Sequence, residues 1–315
     1  MKVLLVGCGS IGRRHLRNLI ALNKVKKIFV YSKVKNYLSG LKDKNKVSLV
    51  ESLDDVKVDL AIIANETYKH IDTALVLAKK RIHLFIEKPL SHILSGKLNL
   101  LKKIISQNKI KVAIGYNLRF LGAIKFIKTI LSQQTLGDIY CVKIEVGQYL
   151  PSWRNGRDYR VSYSASKRRG GGVALDLSHE IDYMRYFFGD PHSFKTVKAK
   201  VSDLKIDSED IFEGIYIYDR FICNVHLDYL QKNRKRIIRI EASKGYLVCD
   251  LISKKIIIEI NGKKKIITDK KLFDLDKTYI WEILSFIRSI KNDHKPEVTF
   301  KDGVRVLGLI EVKHV

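Results

Sequence analysis

The sequence is short of the residues that mark secreted, fibrous or disordered chains. Four cysteines (Cys8, Cys141, Cys223 and Cys249) are scattered through 315 residues with no C-x-x-C spacing. They read as free thiols of a reducing compartment and exclude a disulfide framework. Four prolines and 19 glycines are too few for long linkers or low-complexity tracts. No repeat recurs at a solenoid or propeller period. No apolar run approaches the roughly 20 residues of a membrane helix. The first apolar run, residues 2–6, is stopped by Gly7-Cys8-Gly9 before the core of a signal peptide could form. The expectation is a cytoplasmic chain with no membrane partner.

Acids are also scarce: 33 stand against 59 basic residues, for a formal charge of +26. Such a surplus raises the question of nucleic acid. The lysines, however, are spread along the whole chain, and clusters such as Lys263-Lys264-Lys265 fall where hairpin turns are expected. No nucleic-acid motif accompanies them, so no nucleic-acid partner is expected. A positive field would still help to capture anionic cofactors and phosphorylated sugars.

What is present is ordinary globular material, 46% hydrophobic and 9% aromatic, in a length that suits two domains. The first part alternates. Strands are predicted at residues 2–6, 27–31, 47–50, 58–64, 82–86 and 111–115, and helices at 11–23, 71–80 and 94–107. The run Val-Asp-Leu-Ala-Ile-Ile-Ala over 58–64 is nearly continuous in apolar residues, as a central parallel strand requires. Strands separated by helices imply βαβ units and a doubly wound parallel sheet. Beyond residue 120 the pattern changes. A helix (120–131) and a strand (138–146) lead into a polar, aromatic, arginine-rich stretch (148–169). One continuous helix (172–188) is followed by successive strands from 192 to 268. Asn261-Gly262 between two of them is a hairpin signal. Helices close the chain at 278–290 and 302–312. The fold class expected is therefore α/β for residues 1–119, a Rossmann-type sheet. Residues 120–315 should form an α+β domain with a large, mostly antiparallel open sheet.

Three motifs carry chemistry. Gly7-Cys8-Gly9-Ser10-Ile11-Gly12 is G-x-G-x-x-G between the first strand and the first helix. The first glycine permits the turn, the second lets a pyrophosphate approach the backbone, and the third lets helix and strand pack closely. Arg13 follows at once. At the end of the second strand, where an acid would bind the ribose of NAD, the chain reads Tyr31-Ser32-Lys33-Val34-Lys35. A hydroxyl with lysines suits a 2′-phosphate better, so the cofactor expected is NADP, with NAD as the alternative. Glu87-Lys88-Pro89 leaves the fifth strand directly from Leu84-Phe85-Ile86, placing a charged pair at a ligand crevice. Gly170-Gly171-Gly172 opens the 172–188 helix, on which Asp176 and His179 are three residues apart and share a face. A histidine titrating near neutral pH suits proton transfer. No metal site is expected.

Together with Gly115-Tyr116-Asn117-Leu118-Arg119-Phe120, these motifs resemble the glucose–fructose oxidoreductase/inositol dehydrogenase (Gfo/Idh/MocA) family over nearly the whole chain. The resemblance implies an NAD(P)-dependent oxidoreductase acting on a sugar or cyclitol hydroxyl, with the peptide before the proline cis. Lys88 would hydrogen-bond the reacting oxygen and His179 would move its proton, supported by Asp176 or Asp182. Glu87 and Asn117 would lie near the nicotinamide ribose, with Asn65, Glu66 and His70 also on the cofactor side. Arg119 would stand on the substrate side. The stretch Trp153-Arg154…Asp158-Tyr159-Arg160…Tyr163-Ser164-Ala165 resembles members of bacterial surface-sugar pathways. It implies a nucleotide-linked sugar touched by Trp153, Arg154, Tyr159 and Tyr163. A homodimer or homotetramer through the C-terminal sheet is implied as well. Where the family has a Thr-Pro pair, this chain reads Asn65-Glu66-Thr67, and its Asp176-to-His179 spacing is one residue shorter than the family's. A non-catalytic cofactor-binding sensor on the same fold is the alternative, and loss of Lys88 or His179 would mark it.

Overall fold

The computed structural model of the chain describes residues 1–33, 45–54, 56–154 and 156–311. Lys35 and the expected helix end at Val312 fall outside them. The chain divides into two compact units, Met1–Tyr116 with Tyr279–Leu307, and Asn117–Thr278 with Gly308–Val315.

The first unit opens with β1 (Lys2–Val6), α1 (Ser10–Ala21), β2 (Lys27–Tyr31), β3 (Val47–Leu49) and β4 (Leu60–Ile63). It continues with α2 (His70–Lys79), β5 (His83–Ile86), α3 (Gly96–Gln107) and β6 (Val112–Ile114). The six strands form one parallel sheet in the order β3-β2-β1-β4-β5-β6. The predicted doubly wound sheet is thus observed. Its order reverses direction between β1 and β4, the switch point at which such sheets bind ligands. The register pairs Val6 with both Tyr31 and Ile63, Ile63 with Ile86, and Ile86 with Ile114. Five strands therefore end on one row.

The second unit holds α4 (Gly122–Ser132), β7 (Ile139–Gly147), α5 (Val173–Asp176), α6 (His179–Phe188) and seven further strands. These are β8 (Ser193–Ala199), β9 (Ile211–Ile217), β10 (Ile222–Asp228), β11 (Lys235–Ala242), β12 (Gly245–Asp250), β13 (Lys255–Ile260) and β14 (Lys263–Ile267). The sheet runs β14-β13-β12-β11-β7-β10-β9-β8, antiparallel except for β7 against β10. Alternation along β9 buries Phe212, Gly214 and Tyr216 and turns Glu213, Ile215 and Ile217 outward. Asn261 and Gly262 both have positive φ, 50° and 79°, as a two-residue type I′ hairpin demands.

Two expectations need correction. Residues 172–188 are not one helix. Leu177 leaves helical geometry at φ −102° and ψ 27°, so α5 ends at Asp176 and α6 starts at His179. The shared-face relation between Asp176 and His179 therefore does not hold, because it needs an unbroken helix. The second concerns the chain's return. Within α7 (Leu275–Lys291) the chain passes back to the first unit between Thr278 and Tyr279, and α8 (Phe300–Ile310) follows. Ile283, Phe286 and Ile287 are buried in one core cluster with Leu5, Leu16, Leu19, Leu60, Ile62 and Phe85. The first unit is thus discontinuous in sequence, whereas the sequence pattern places a single cut at 119/120. Each large apolar side chain so buried contributes roughly 1.5–3 kcal/mol.

The end of β10 is held by charge. His226 lies between Glu213 and Asp228, with 2.8 Å from its Nε2 to Asp228 Oδ2. Asp228 in turn accepts the backbone N–H groups of Leu230 and Gln231 at 2.6 and 2.8 Å. The hydrogen bond to Asp228, with that to Glu213, pushes the His226 pKa up to about 9. Its stabilising effect is then fully present below about pH 6.5 and lost as pH rises through about 9. His226→Gln is expected to cost about 1 kcal/mol at pH 6. Denaturant unfolding of the two proteins should converge by pH 10, and a gap independent of pH would contradict this account.

Candidate functional site

The row of strand ends in the first unit delivers Gly7, Ser32, Asn65, Glu87 and Gly115 to one edge of the sheet. At Gly7, φ is +91° and an added Cβ would lie 2.6 Å from the Asn65 nitrogen. A Cβ at Gly12 would come within 2.1 Å of the Gly7 carbonyl oxygen. At Gly9, by contrast, an added Cβ would meet nothing within 4 Å, and φ is an ordinary −65°. Two glycines are therefore required by the fold, and the third keeps open a space beside a helix N-terminus. That N-terminus has no side-chain cap and no acid in its first turn. Its orphan N–H groups and positive dipole end suit a pyrophosphate, with Ser10, Ile11 and Arg13 on the first turn. Within the same loop, burial pushes the Cys8 thiol up to about 11, which makes it a packing group and not a nucleophile.

Ser32 is half-buried just past β2, and Lys33 is exposed beside it. Asn65 donates to Thr73 at 2.9 Å, while Glu66 pairs with Lys69 at 2.6 Å. His70 is buried, with Nδ1 3.0 Å from the Pro89 carbonyl oxygen and Nε2 3.1 Å from that of Asn65. Burial pushes its pKa down, so the neutral ring donates to only one of these carbonyls at a time. It ties the loop after β4 to the loop after β5. The Lys88–Pro89 peptide is cis. Glu87 is buried, accepts the backbone N–H of Lys88 at 3.1 Å, and meets His15 Nε2 at 2.6 Å. Lys88 itself is half-buried.

In the second unit Asp176 is buried and accepts the Tyr229 hydroxyl at 2.6 Å. Its charge, with burial, pushes the Tyr163 phenol well above the usual range. Tyr163 therefore turns its hydroxyl toward Asp176. Arg119 is buried in a two-pronged pair with Asp182, at 2.8 and 2.7 Å, and lies over the Tyr186 ring. Asn117 donates to Thr278 at 2.7 Å. Arg119 and Asn117 thus hold neighbouring helices in place through these bonds. His179 starts α6 and is half-buried. The described residues of the stretch, 148–154 and 156–169, form short 3₁₀ turns hung on the backbone beyond β10, with Leu150 N–H bonded to the Tyr229 carbonyl at 2.9 Å. They enclose a cavity of about 270 Å³ lined by Trp153, Arg154, Arg157, Tyr159 and Ser162 among others. Trp153 packs edge-on against Tyr229, and Arg154 lies over the Tyr163 ring.

Sequence reasoning missed His15, Glu282 and Tyr229. Glu282 left one signal: it falls on the apolar stripe Tyr279, Ile283, Phe286 of α7, where a charge is out of place.

Comparison with known proteins adds the following. Residues 1–116 match the family described as oxidoreductase family, NAD-binding Rossmann fold, and residues 124–248 match the GFO/IDH/MocA C-terminal domain. A myo-inositol 2-dehydrogenase of Thermotoga maritima is 25% identical over 333 residues, covering 98% of this chain and 93% of that protein. The fold is shared with the WlbA dehydrogenase of Bordetella pertussis, solved with NADH and UDP-GlcNAcA (TM-score 0.83, 16% identity, 98% and 93% of the two chains). It is shared also with the UDP-N-acetylglucosamine 3-dehydrogenase GnnA of Acidithiobacillus ferrooxidans (TM-score 0.78, 20% identity, 98% and 94% coverage).

The three glycines should separate by experiment. Gly9→Val is expected to fold with an unfolding temperature within about 2 °C of wild type and to lose dinucleotide affinity at least tenfold, about 1.4 kcal/mol. Gly12→Val should destabilise the fold itself, since the new side chain strikes backbone. Calorimetry showing unchanged cofactor affinity in a folded Gly9→Val protein would exclude the loop as the pyrophosphate site.

Proposed function

The chain belongs to the GFO/IDH/MocA family of NAD-binding oxidoreductases, and we propose that it moves a hydride between nicotinamide and a hydroxyl- or keto-bearing carbon of a sugar. The substrate class proposed is a nucleotide-linked sugar or a cyclitol. The observation that carries this reading is the common edge at which the open Gly9 turn and Glu87-Lys88 emerge from β1 and β5 on either side of β4. The bound nicotinamide supplies the hydride acceptor in the oxidising direction. The chain supplies the rest. Lys88 Nζ donates to the substrate oxygen and stabilises the negative charge that develops there. His179 takes the hydroxyl proton as the carbonyl forms. Asp176 is the better candidate to orient His179, because Arg119 takes both oxygens of Asp182. Glu87 is assigned to the ribose side of the cofactor, with Asn65, Glu66, His70 and Asn117.

No acid follows β2 through Lys33, so NADP is proposed as the preferred cofactor and Ser32 as its 2′-phosphate contact. The cavity of the 148–169 stretch supports a sugar ring against Trp153 and Tyr159, with Arg154 and Arg157 toward phosphate or carboxylate. Outward Tyr140, Ile215, Ile217 and Ile222 on the second sheet support a homodimer or homotetramer through that face. Four free cysteines support a cytoplasmic setting, and no helix among the described residues is long and apolar enough to cross a membrane.

The decisive assay is turnover on a panel of free and nucleotide-linked sugars with both cofactors. Lys88→Ala and His179→Ala should each lower kcat at least ~10²-fold while cofactor affinity stays within about threefold. Full turnover in either variant would remove that residue from the mechanism, and a wild type that binds the cofactor but turns over no sugar would leave the sensor reading standing. Ser32→Asp should shift preference toward NAD, because its carboxylate repels a 2′-phosphate and accepts from a 2′-hydroxyl. A wild type that prefers NAD tenfold would refute the NADP assignment. Arg154→Ala should raise KM for phosphorylated substrates roughly tenfold with little change in kcat.

A further inference from the structure

We propose that the buried cluster His15–Glu87–Glu282 keeps a proton on Glu282 at neutral pH, so that Glu87 is the lone buried anion behind Lys88 and Glu282 acts as a positioning residue through it. The three side chains come from α1, the end of β5 and α7, all in the first unit. One ligand atom from each lies within 4.8 Å of the others. His15 is 0% exposed, Glu87 6% and Glu282 2%. His15 Nε2 and Glu87 Oε1 are 2.6 Å apart and satisfy one another. Both oxygens of Glu282 are buried without a hydrogen-bond partner among the described residues. The surroundings are aromatic: Phe85 and Tyr279 stand edge-on to the His15 ring, and Phe286 packs on Phe85.

An ionised Glu282 would be desolvated, unpartnered and close to a second carboxylate. Each of these opposes ionisation, and nothing bonded to its oxygens offsets them. Burial first, and the Glu87 charge second, push its carboxyl well above the usual range. Three other groups face the cluster. Lys88 donates its backbone N–H, and His70 on α2 feels the Glu87 charge. Arg14 on α1 lies over the Tyr279 ring at 4.5 Å. A divalent cation would be another way to offset two carboxylates. Ligands about 2.1 Å from a tetrahedral ion stand about 3.4 Å apart, however. The 2.6 Å contact of His15 with Glu87 is a direct hydrogen bond instead.

The consequence reaches Lys88. Glu87 is held by His15, by the Lys88 N–H and by Gly115, where an added Cβ would lie 3.1 Å from its Oε2. Ionising Glu282 at alkaline pH would set two like charges against each other and push Glu87 off the Lys88 N–H. This positioning role rests on the catalytic reading of Lys88; the protonation of Glu282 does not. A carboxyl whose folded pKa is raised binds its proton more tightly in the folded state. The stability it contributes is full below the unfolded value of about 4.3 and is lost as pH rises through the folded value.

Glu282→Gln copies the neutral form, and unfolding temperatures of both proteins from pH 6 to 10, with and without EDTA, test the proposal. The variant should gain in unfolding temperature on wild type with each pH unit from pH 6 upward, and the gap should stop growing once the pH passes the folded value of Glu282. The alkaline limb of its kcat profile should move up by about one pH unit. Glu282→Met, neutral and of similar size, serves should the glutamine variant not fold. A variant less stable by the same amount at every pH would overturn the proposal. So would a wild type that EDTA destabilises and a divalent ion restores. A shifted stability slope with an unmoved alkaline limb would remove the positioning role alone. The same slope in a protein that turns over no sugar would count against the enzymatic reading and leave the proton on Glu282.

Discussion

Parallel pairing makes the carboxyl ends of strands fall together, and the first unit is organised by that constraint. Tyr31, Val6, Ile63, Ile86 and Ile114 lie in one register row. The strands are mostly apolar up to that row, and the residues of the crevice follow within two positions of it. The glycine turn, Ser32, Asn65, Glu87 and Gly115 are thus neighbours because of backbone hydrogen bonding, before any side chain attracts another. Close approach is then enforced by Gly7 and Gly12, whose added Cβ atoms would strike backbone. A shift of one residue in β2 or β5 would move Ser32 or Glu87 into the apolar sheet.

Legibility in the sequence followed the strength of local constraint. The G-x-G-x-x-G turn and Asn261-Gly262 were readable because positive φ narrows the choice of residues, and both turns are observed. Glu87-Lys88 was readable because charge following Leu84-Phe85-Ile86 is costly without a purpose. The break between α5 and α6 was not readable. Val173, Leu177, Ile181 and Met184 keep helical spacing across it, and the groups around Asp176, Tyr229 and Tyr163, are remote in sequence. The return of α7 to the first unit was hidden for a related reason. Periodicity reveals that a helix has an apolar face but not which surface it covers. His15 shows the same limit, since its partner Glu87 lies 72 residues away.

In the second unit the helices near His179 are fixed by acids paired across elements. Asp182 is bound by Arg119, Glu180 by Arg236 at 2.8 Å, and Asp176 by Tyr229. Such buried pairs add little net stability, but deleting one partner leaves a stranded charge at a cost of about 3–5 kcal/mol. Their effect is to make one arrangement of α5 and α6 far better than its alternatives. Arg119 and Tyr163 therefore matter to the region around His179 through the acids they hold.

The same pattern bears on the basic surplus. Glu87, Asp176, Glu180, Asp182, Asp210, Asp228 and Glu282 are buried, against Arg119 as the one buried lysine or arginine among the described residues. Acids are thus withdrawn from the surface while lysines remain on it, so the outer face is more positive than the formal +26 suggests. The interior acids are neutralised by hydrogen bonds, by Arg119 and Arg236, and at Glu282 by a proton. The field left outside is one that phosphate-bearing ligands would feel at a distance and that salt would screen within about 10 Å. Interior and exterior charge therefore do different work in this chain: buried acids fix geometry at short range, and exposed lysines act at long range on whatever anion approaches.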